Sequence, residues 1–205
     1  MVASAVPQLM GRHSRGCGGF EEGVVLESRT MESAEIERIR RLLDEAEGYL
    51  MLNLPARALD LIERRDDWGT LEFEARFLSG EALRQLGHYR EAIKPLEQAE
   101  RLQPGHVAVA ISLGWCYKRA NRLAQAVDAL ERAARAHPDE PLPHYNLACY
   151  WSLAGNPSRA LVELDNALAL DPDLLARVAC ESDFDPIRSH PDFKRLTAAR
   201  ATPST

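Results

Sequence analysis

Four rows of 34 residues can be laid over this chain, and few folds accept such a repeat. The rows begin at Ile39, Phe73, Val107 and Pro141, and they align without an insertion or deletion. The eighth place of each row is small, namely Ala46, Gly80, Gly114 and Ala148. The eleventh place is large, namely Tyr49, Leu83, Tyr117 and Trp151. Self-similarity at this period is the signature of an array of stacked structural units.

Further columns define the second half of the unit. The twentieth place is always alanine, at Ala58, Ala92, Ala126 and Ala160. The twenty-fourth place is aliphatic, at Ile62, Leu96, Leu130 and Leu164. The last three rows also share alanine at the twenty-seventh place and proline at the thirty-second, namely Ala99, Ala133, Ala167, Pro104, Pro138 and Pro172. The columns therefore extend over the whole row.

The spacing of apolar residues predicts two helices in each row. From Glu32 onward these residues recur three and four places apart, and no stretch alternates with a period of two. A small eighth residue lets the second helix approach the first closely, and the large eleventh residue fills the adjacent space. The turn between the helices carries residues that tolerate the left-handed conformation of a helix C-terminus, namely Asn53, Gly87, Asn121 and Gly155.

This arrangement of columns resembles the tetratricopeptide repeat family over residues 39–174. The resemblance implies an all-α fold, a right-handed α-solenoid of four 34-residue helix-turn-helix repeats with a helical C-terminal cap. Within residues 31–174 the repeats are 39–72, 73–106, 107–140 and 141–174. Residues 175–198 are expected to form the capping tail, because a last repeat exposes an apolar face. This tail resembles the one that follows the final repeat of many bacterial tetratricopeptide proteins. We expect disorder in residues 1–30 and a frayed end at 199–205.

Composition narrows the classes of partner. The formal net charge of −6 argues against nucleic acid and against an anionic membrane surface, since both require a basic footprint. No apolar run approaches the roughly 20 residues of a membrane helix, and the N-terminus lacks the apolar core of a secretory signal. We therefore expect a cytoplasmic protein whose partner is another protein.

Signatures of catalysis and of metal binding are missing from the sequence. Nucleotide-binding, hydrolase and metalloprotease motifs do not occur, and the four cysteines lie far apart without metal-ligand spacing. Cys149 and His144 are five residues apart, so on a helix their side chains diverge by about 140°. His137 and His144 are interpreted as residues of a solvated loop. We expect no enzyme activity, no cofactor and no metal.

A candidate binding surface follows from the resemblance. In the family, the second, fifth, ninth, twelfth and thirteenth places of each first helix line the concave groove where an extended peptide lies. The candidate groove residues of this chain are Glu47, Phe77, Glu81, Arg84, Ile111, Trp115, Lys118, Arg119 and Tyr145.

The charges of this surface change sign along the array. Glu47 and Glu81 lie toward its front, while Arg84, Lys118 and Arg119 lie toward its middle. Such a gradient would orient a bound segment end to end. We therefore expect a non-enzymatic adaptor that binds a peptide or helix of a partner, with an acidic group on that ligand held by the three cations.

Two alternatives stay open. In the first alternative, the protein is a structural subunit or a self-associating module, whose groove is filled by its own tail or by another copy. Apolar fifth-place residues, namely Leu43, Phe77 and Ile111, also have the simpler role of packing against the neighbouring repeat. Trp115 and Arg119 fit a ligand site better. In one subclass of the family a lysine and an asparagine grip a chaperone's C-terminal tail, and both are absent from the fifth and ninth places here.

Overall fold

The computed structural model describes the backbone of residues 19–201 and the side chains of residues 33–200. This part of the chain is helical, with ten α-helices, two short 3₁₀ turns and no strand. The predicted all-α fold class is therefore confirmed. The helices are α1 (Gly19–Met51), α2 (Pro55–Glu63), α3 (Glu72–Gln85), α4 (Tyr89–Leu102), α5 (Val107–Arg119), α6 (Leu123–Ala136), α7 (Pro141–Leu153), α8 (Pro157–Leu170), α9 (Leu174–Cys180) and α10 (Pro191–Ala201). The 3₁₀ turns are Gly69–Leu71 and Ser182–Phe184.

The chain divides into two compact units, residues 1–38 and residues 39–205. In the first unit the described residues form the N-terminal part of α1. The sequence predicts disorder up to residue 30, but α1 begins at Gly19. Residues 1–18 and 202–205, for which disorder and fraying are expected, lie outside the described residues.

Helical hairpins build the second unit. Helix α3 packs on α4, α5 on α6, and α7 on α8, and each hairpin packs on the next through α4 with α5 and α6 with α7. The first helices of successive hairpins are also in contact, α3 with α5 and α5 with α7. This stacking is that of an α-solenoid, in which one face is lined by first helices and the other by second helices.

The turns between paired helices share one geometry. The backbone N–H of the sixteenth place donates to the carbonyl of the eleventh place at 2.8–2.9 Å, in Leu54 to Tyr49, His88 to Leu83, Arg122 to Tyr117 and Asn156 to Trp151. The residue before each donor has a positive φ, namely Asn53 (56°), Gly87 (81°), Asn121 (61°) and Gly155 (71°). This pattern is a Schellman-type helix end, as the sequence predicts.

The small eighth-place residues allow the paired helices to approach closely. A Cβ atom added to Gly80 would lie 2.4 Å from Cγ of the fully buried Leu96, which is the twenty-fourth-place residue of the same row. One added to Gly114 would lie 3.1 Å from Cε2 of Tyr150 and 3.3 Å from Cδ1 of Leu130. The space beside the eighth place is therefore already filled by the second helix or by the next repeat.

We predict that Gly80→Ala destabilises the protein, although alanine favours helix more than glycine does. Crowding against Leu96 outweighs the gain in helix propensity, so the free energy of unfolding should fall by about 1–3 kcal/mol. Urea denaturation followed by circular dichroism measures this change.

Gly48→Ala is the matched control. Gly48 lies within α1, and a Cβ added there meets no atom within 4 Å. This substitution should raise the free energy of unfolding by about 0.5–1 kcal/mol. Equal effects of the two substitutions would contradict the assigned role of the eighth place.

Candidate functional site

The groove face is the surface formed by places 2, 5, 9, 12 and 13 of helices α3, α5 and α7. Its exposure changes sharply along the array. In rows two and three its ninth and twelfth places are partly or fully exposed, and Trp115 is 41% exposed. In row four the fifth, ninth and twelfth places are buried, with Tyr145 and Cys149 each 2% exposed and Ser152 0%. The groove face is therefore open in rows two and three, whereas in row four its fifth, ninth and twelfth places are covered and Leu153 at the thirteenth place stays 39% exposed.

Glu81 ties α3 to α5 within the open section. Its carboxylate accepts hydrogen bonds from Arg84, with Nε at 3.0 Å and Nη2 at 2.8 Å. Ser112 on α5 donates its hydroxyl to the same carboxylate at 2.5 Å. The hydrogen bond to Glu81 raises the pKa of Arg84. The sequence predicts both residues as groove residues, and the structure brings them together as an ion pair.

An aromatic cluster lies at the junction of rows two and three. The rings of Phe73 and Phe77 are 6.3 Å apart, and His106 lies 5.0 Å from Phe73 and 6.2 Å from Phe77 between ring centroids. Phe77 is thus half-buried against the residue that precedes α5. Leu43, the fifth-place residue of row one, is 5% exposed. The burial of Leu43 and Phe77 therefore fits packing against the neighbouring repeat better than contact with a ligand.

Lys118 occupies the boundary between the open and covered sections. Its Nζ atom lies 4.8 Å from the ring centroid of Trp115 and 5.6 Å from that of Tyr150. The same atom forms an ion pair with Asp183 Oδ2 at 2.5 Å. The structure brings Lys118 and Trp115 together, and the acidic partner of Lys118 comes from the chain's own tail.

The remaining predicted residues differ in accessibility. Arg119 is exposed and its guanidinium lies 5.0 Å from the ring centroid of Tyr89. Ile111 is half-buried on α5, and Glu47 is exposed on α1. Tyr145 is predicted to anchor a partner, but the structure does not offer it to one. Its ring packs edge-on against another aromatic ring of the chain.

The ring that covers Tyr145 belongs to the tail. Phe184 is fully buried, and its centroid lies 5.8 Å from that of Tyr145 at an interplanar angle of 88°. Arg177 lies on the same tyrosine ring, 5.1 Å from its centroid. The sequence predicts a capping tail over residues 175–198, but it assigns neither Phe184 nor Asp183 of that tail to the groove. The 34-residue columns end before these residues, so no column points to their partners.

The thiols of the array are poorly suited to nucleophilic chemistry. Burial raises the pKa of Cys116 to about 12 and also raises the pKa of Cys149. His144 contacts Glu163 instead of a thiol, with Nδ1 at 2.7 Å from Oε2. Within the described part of the chain, no group of three or more His, Cys, Asp or Glu side chains is placed to hold a metal ion. In the same part, no helix is both long and apolar enough to cross a membrane.

Known proteins show the same architecture. Residues 71–141 match the family model described as "Tetratricopeptide repeat". The structure described as "Crystal structure of MamA" is 19% identical with a TM-score of 0.61, and the match covers 75% of this chain and 87% of that one. A MamA fragment from Desulfovibrio magneticus RS-1 is 19% identical with a TM-score of 0.58, covering 81% of this chain and 97% of that one.

A third similar structure is described as "Crystal structure of YrrB: a TPR protein with an unusual peptide-binding site". It is 18% identical with a TM-score of 0.61, and the match covers 75% of this chain and 87% of that one. No curated protein sequence matches the chain. At these identities the structures establish the fold alone, and together with the family model they confirm the predicted resemblance.

Thiol accessibility gives a direct test of the covered section. Cys180 is exposed, whereas Cys116 and Cys149 are buried. We predict that iodoacetamide at pH 8 alkylates Cys180 in the folded protein and reaches Cys116 and Cys149 only after denaturation. The thiolate is the reacting species, and burial both shields these two thiols and raises their pKa values. Peptide mapping by mass spectrometry distinguishes the sites. Rapid alkylation of native Cys149 would contradict the burial of the row-four groove.

Proposed function

We propose that this tetratricopeptide-repeat protein is a non-enzymatic scaffold that binds a segment of a partner protein on its groove face. The observation that carries the proposal is the 41% exposure of Trp115 at the middle of that face. Exposed tryptophans on a rigid surface are typical anchors of protein interfaces, because their burial removes a large apolar area from water.

The open section extends over α3 and α5. Phe77 and Ile111 are half-buried on the same face as the exposed indole of Trp115, so part of each side chain is left for contact with one or two bulky side chains of a partner. Beyond Trp115 the fifth, ninth and twelfth places of row four are buried. These observations support a partner segment that lies on rows two and three.

Arg119 is the cation best placed for an acidic group on that segment. The sequence predicts three cations for this task, but Arg84 is bound by Glu81 and Lys118 by Asp183. Arg119 is exposed, and its guanidinium lies 5.0 Å from the ring centroid of Tyr89, a cation–π contact, while no carboxylate among the described residues of the groove face forms an ion pair with it. While the tail occupies Lys118, we assign an acidic group of the partner segment on rows two and three to Arg119.

The chemistry of the cysteines supports both the lack of catalysis and the location. Raised thiol pKa values at Cys116 and Cys149 disfavour a covalent mechanism. Free thiols at these positions and at Cys180 fit a reducing compartment, which we propose is the cytoplasm. The similar protein whose description includes a peptide-binding site supports peptide recognition by this fold.

A second candidate function is self-association. Its supporting observation is the covered row-four section, where a segment of the chain itself lies on the groove face. A tail that fits its own groove also fits the groove of another copy. Static light scattering separates the two functions, because a dimer that persists on dilution supports self-association and a monomer supports the scaffold.

Trp115→Ala tests the scaffold function. We predict that this substitution weakens capture of the protein's partners at least tenfold while leaving helical content unchanged, because a hot-spot tryptophan contributes about 2 kcal/mol or more. Affinity capture with quantitative mass spectrometry compares the variant with the wild type, and circular dichroism checks the fold. Arg119→Ala should weaken the same partners by a smaller factor.

Leu170→Ala provides the control. Leu170 is 42% exposed, as much as Trp115, but it lies at the end of the second helix α8. Its truncation should leave capture unchanged. Undiminished capture by Trp115→Ala, or equal losses in both variants, would contradict binding on the groove face.

A further inference from the structure

The covered end of the groove face holds a specific dipeptide of the tail. The 3₁₀ turn Ser182–Phe184 packs on α7, and the row-four places 5, 9 and 12 are buried where this turn lies. The turn contributes one acidic and one aromatic side chain in succession. Both make contacts with residues that the repeat pattern places on the groove face.

The acidic side chain is held by a prepared cation. Lys118 lies between the rings of Trp115 and Tyr150, and its ammonium meets Asp183 Oδ2 at 2.5 Å. Both side chains are largely withdrawn from solvent, with 19% of Lys118 and 14% of Asp183 exposed. Sixty-five residues separate the two in sequence. Screening by salt is weaker for such a partly buried pair than for a surface pair.

The aromatic side chain enters the adjoining pocket. Phe184 is fully buried, with its ring edge-on to Tyr145 and 5.7 Å from Phe193 of α10. Edge-to-face contacts at this distance stabilise an aromatic pair beyond the burial of its area. The groove face thus contacts two successive side chains of the tail, a carboxylate at Lys118 and a ring at Tyr145.

The shape of the turn is set by the tail itself. Arg188 donates to the carbonyls of Val178 at 3.4 Å, Ala179 at 3.3 Å and Glu181 at 2.7 Å. The Glu181 carboxylate accepts the backbone N–H of Asp183 at 3.2 Å. None of these bonds involves the repeats, so the tail presents its acidic and aromatic side chains as a preformed unit.

We propose that the row-four end of the groove is a recognition site for an acidic residue followed directly by an aromatic residue, and that Asp183–Phe184 is its resident, competing ligand. The proposal rests on the proposed function and extends it by naming the chemistry of the partner. A partner segment with this dipeptide makes the same two contacts when the tail withdraws. The resident tail holds affinity low, because an attached competitor acts at a high effective concentration.

A synthetic peptide with the sequence of residues 181–188, ESDFDPIR, is the probe. Labelled with fluorescein, it is titrated against full-length chains, and binding is read by fluorescence anisotropy. The chain variant Asp183→Lys repels its own turn from Lys118. We expect it to bind the peptide at least about tenfold more tightly than the wild type, a change of about 1.4 kcal/mol.

Charge reversal tests the specificity. The chain variant Lys118→Glu should reject this peptide and bind the peptide that carries D183K, whereas the chain variant Asp183→Lys should show the opposite preference. The double variant K118E/D183K restores the pair in reverse and should return to weak binding of both peptides.

Asp173→Lys is the matched control. It makes the same charge change at an exposed position directly before α9, where the side chain forms no capping hydrogen bond. This variant should bind the peptide as weakly as the wild type. Circular dichroism verifies that each variant keeps its helices.

Defined outcomes would overturn the proposal. These are equal binding of both peptides by the chain variant Asp183→Lys, binding of neither peptide by either single variant, or tail exchange in a wild-type dimer. If peptide binding fails while Trp115→Ala still weakens partner capture, the row-four assignment falls and the scaffold function stands. If Trp115→Ala leaves partner capture unchanged while the peptide binds as expected, binding of a partner at Trp115 falls and the row-four assignment stands.

Discussion

The stacking of the hairpins and the groove face both depend on the close approach of paired helices at the eighth place of a row. Because Gly80 has no side chain, the fully buried Leu96 can fill the space beside it, and the two helices of the hairpin pack closely at this point. Closed hairpins stack, and stacking aligns α3, α5 and α7 on one face. The groove face exists because second helices bury their alanine columns elsewhere. The side chains of the groove face are therefore not required for packing within each hairpin.

Electrostatics on the groove face are dominated by pairs within the chain. Glu81 holds Arg84, and Asp183 holds Lys118, so cations that a sequence reading counts as free are already bound. An ion pair that is partly buried cannot be opened without leaving a charge poorly solvated. A partner must therefore either bind beside these pairs, as at Trp115 and Arg119, or replace one member with an equivalent group. The chemistry of the tail shows what such a replacement requires.

The helices, their turns and their packing columns could be predicted because they repeat. Asn53 and Gly87 occupy the same left-handed position in successive rows, so periodicity alone identifies the turn. The state of Tyr145 could not be predicted in this way. It occupies the same place as Phe77 and Ile111, yet it is buried by Phe184, a residue beyond the last row. A contact between a periodic array and a non-periodic tail has no register, so sequence columns cannot assign it.

Amide hydrogen exchange of the protein with and without a captured partner tests the central claim most directly, since it reports protection along every helix at once. If the partner binds on the groove face, protection rises in α3 and α5, the first helices around Trp115, and stays unchanged in α4, α6 and α8. Protection that rises instead in the second helices would contradict binding on the groove face and would place the partner on the opposite face of the solenoid.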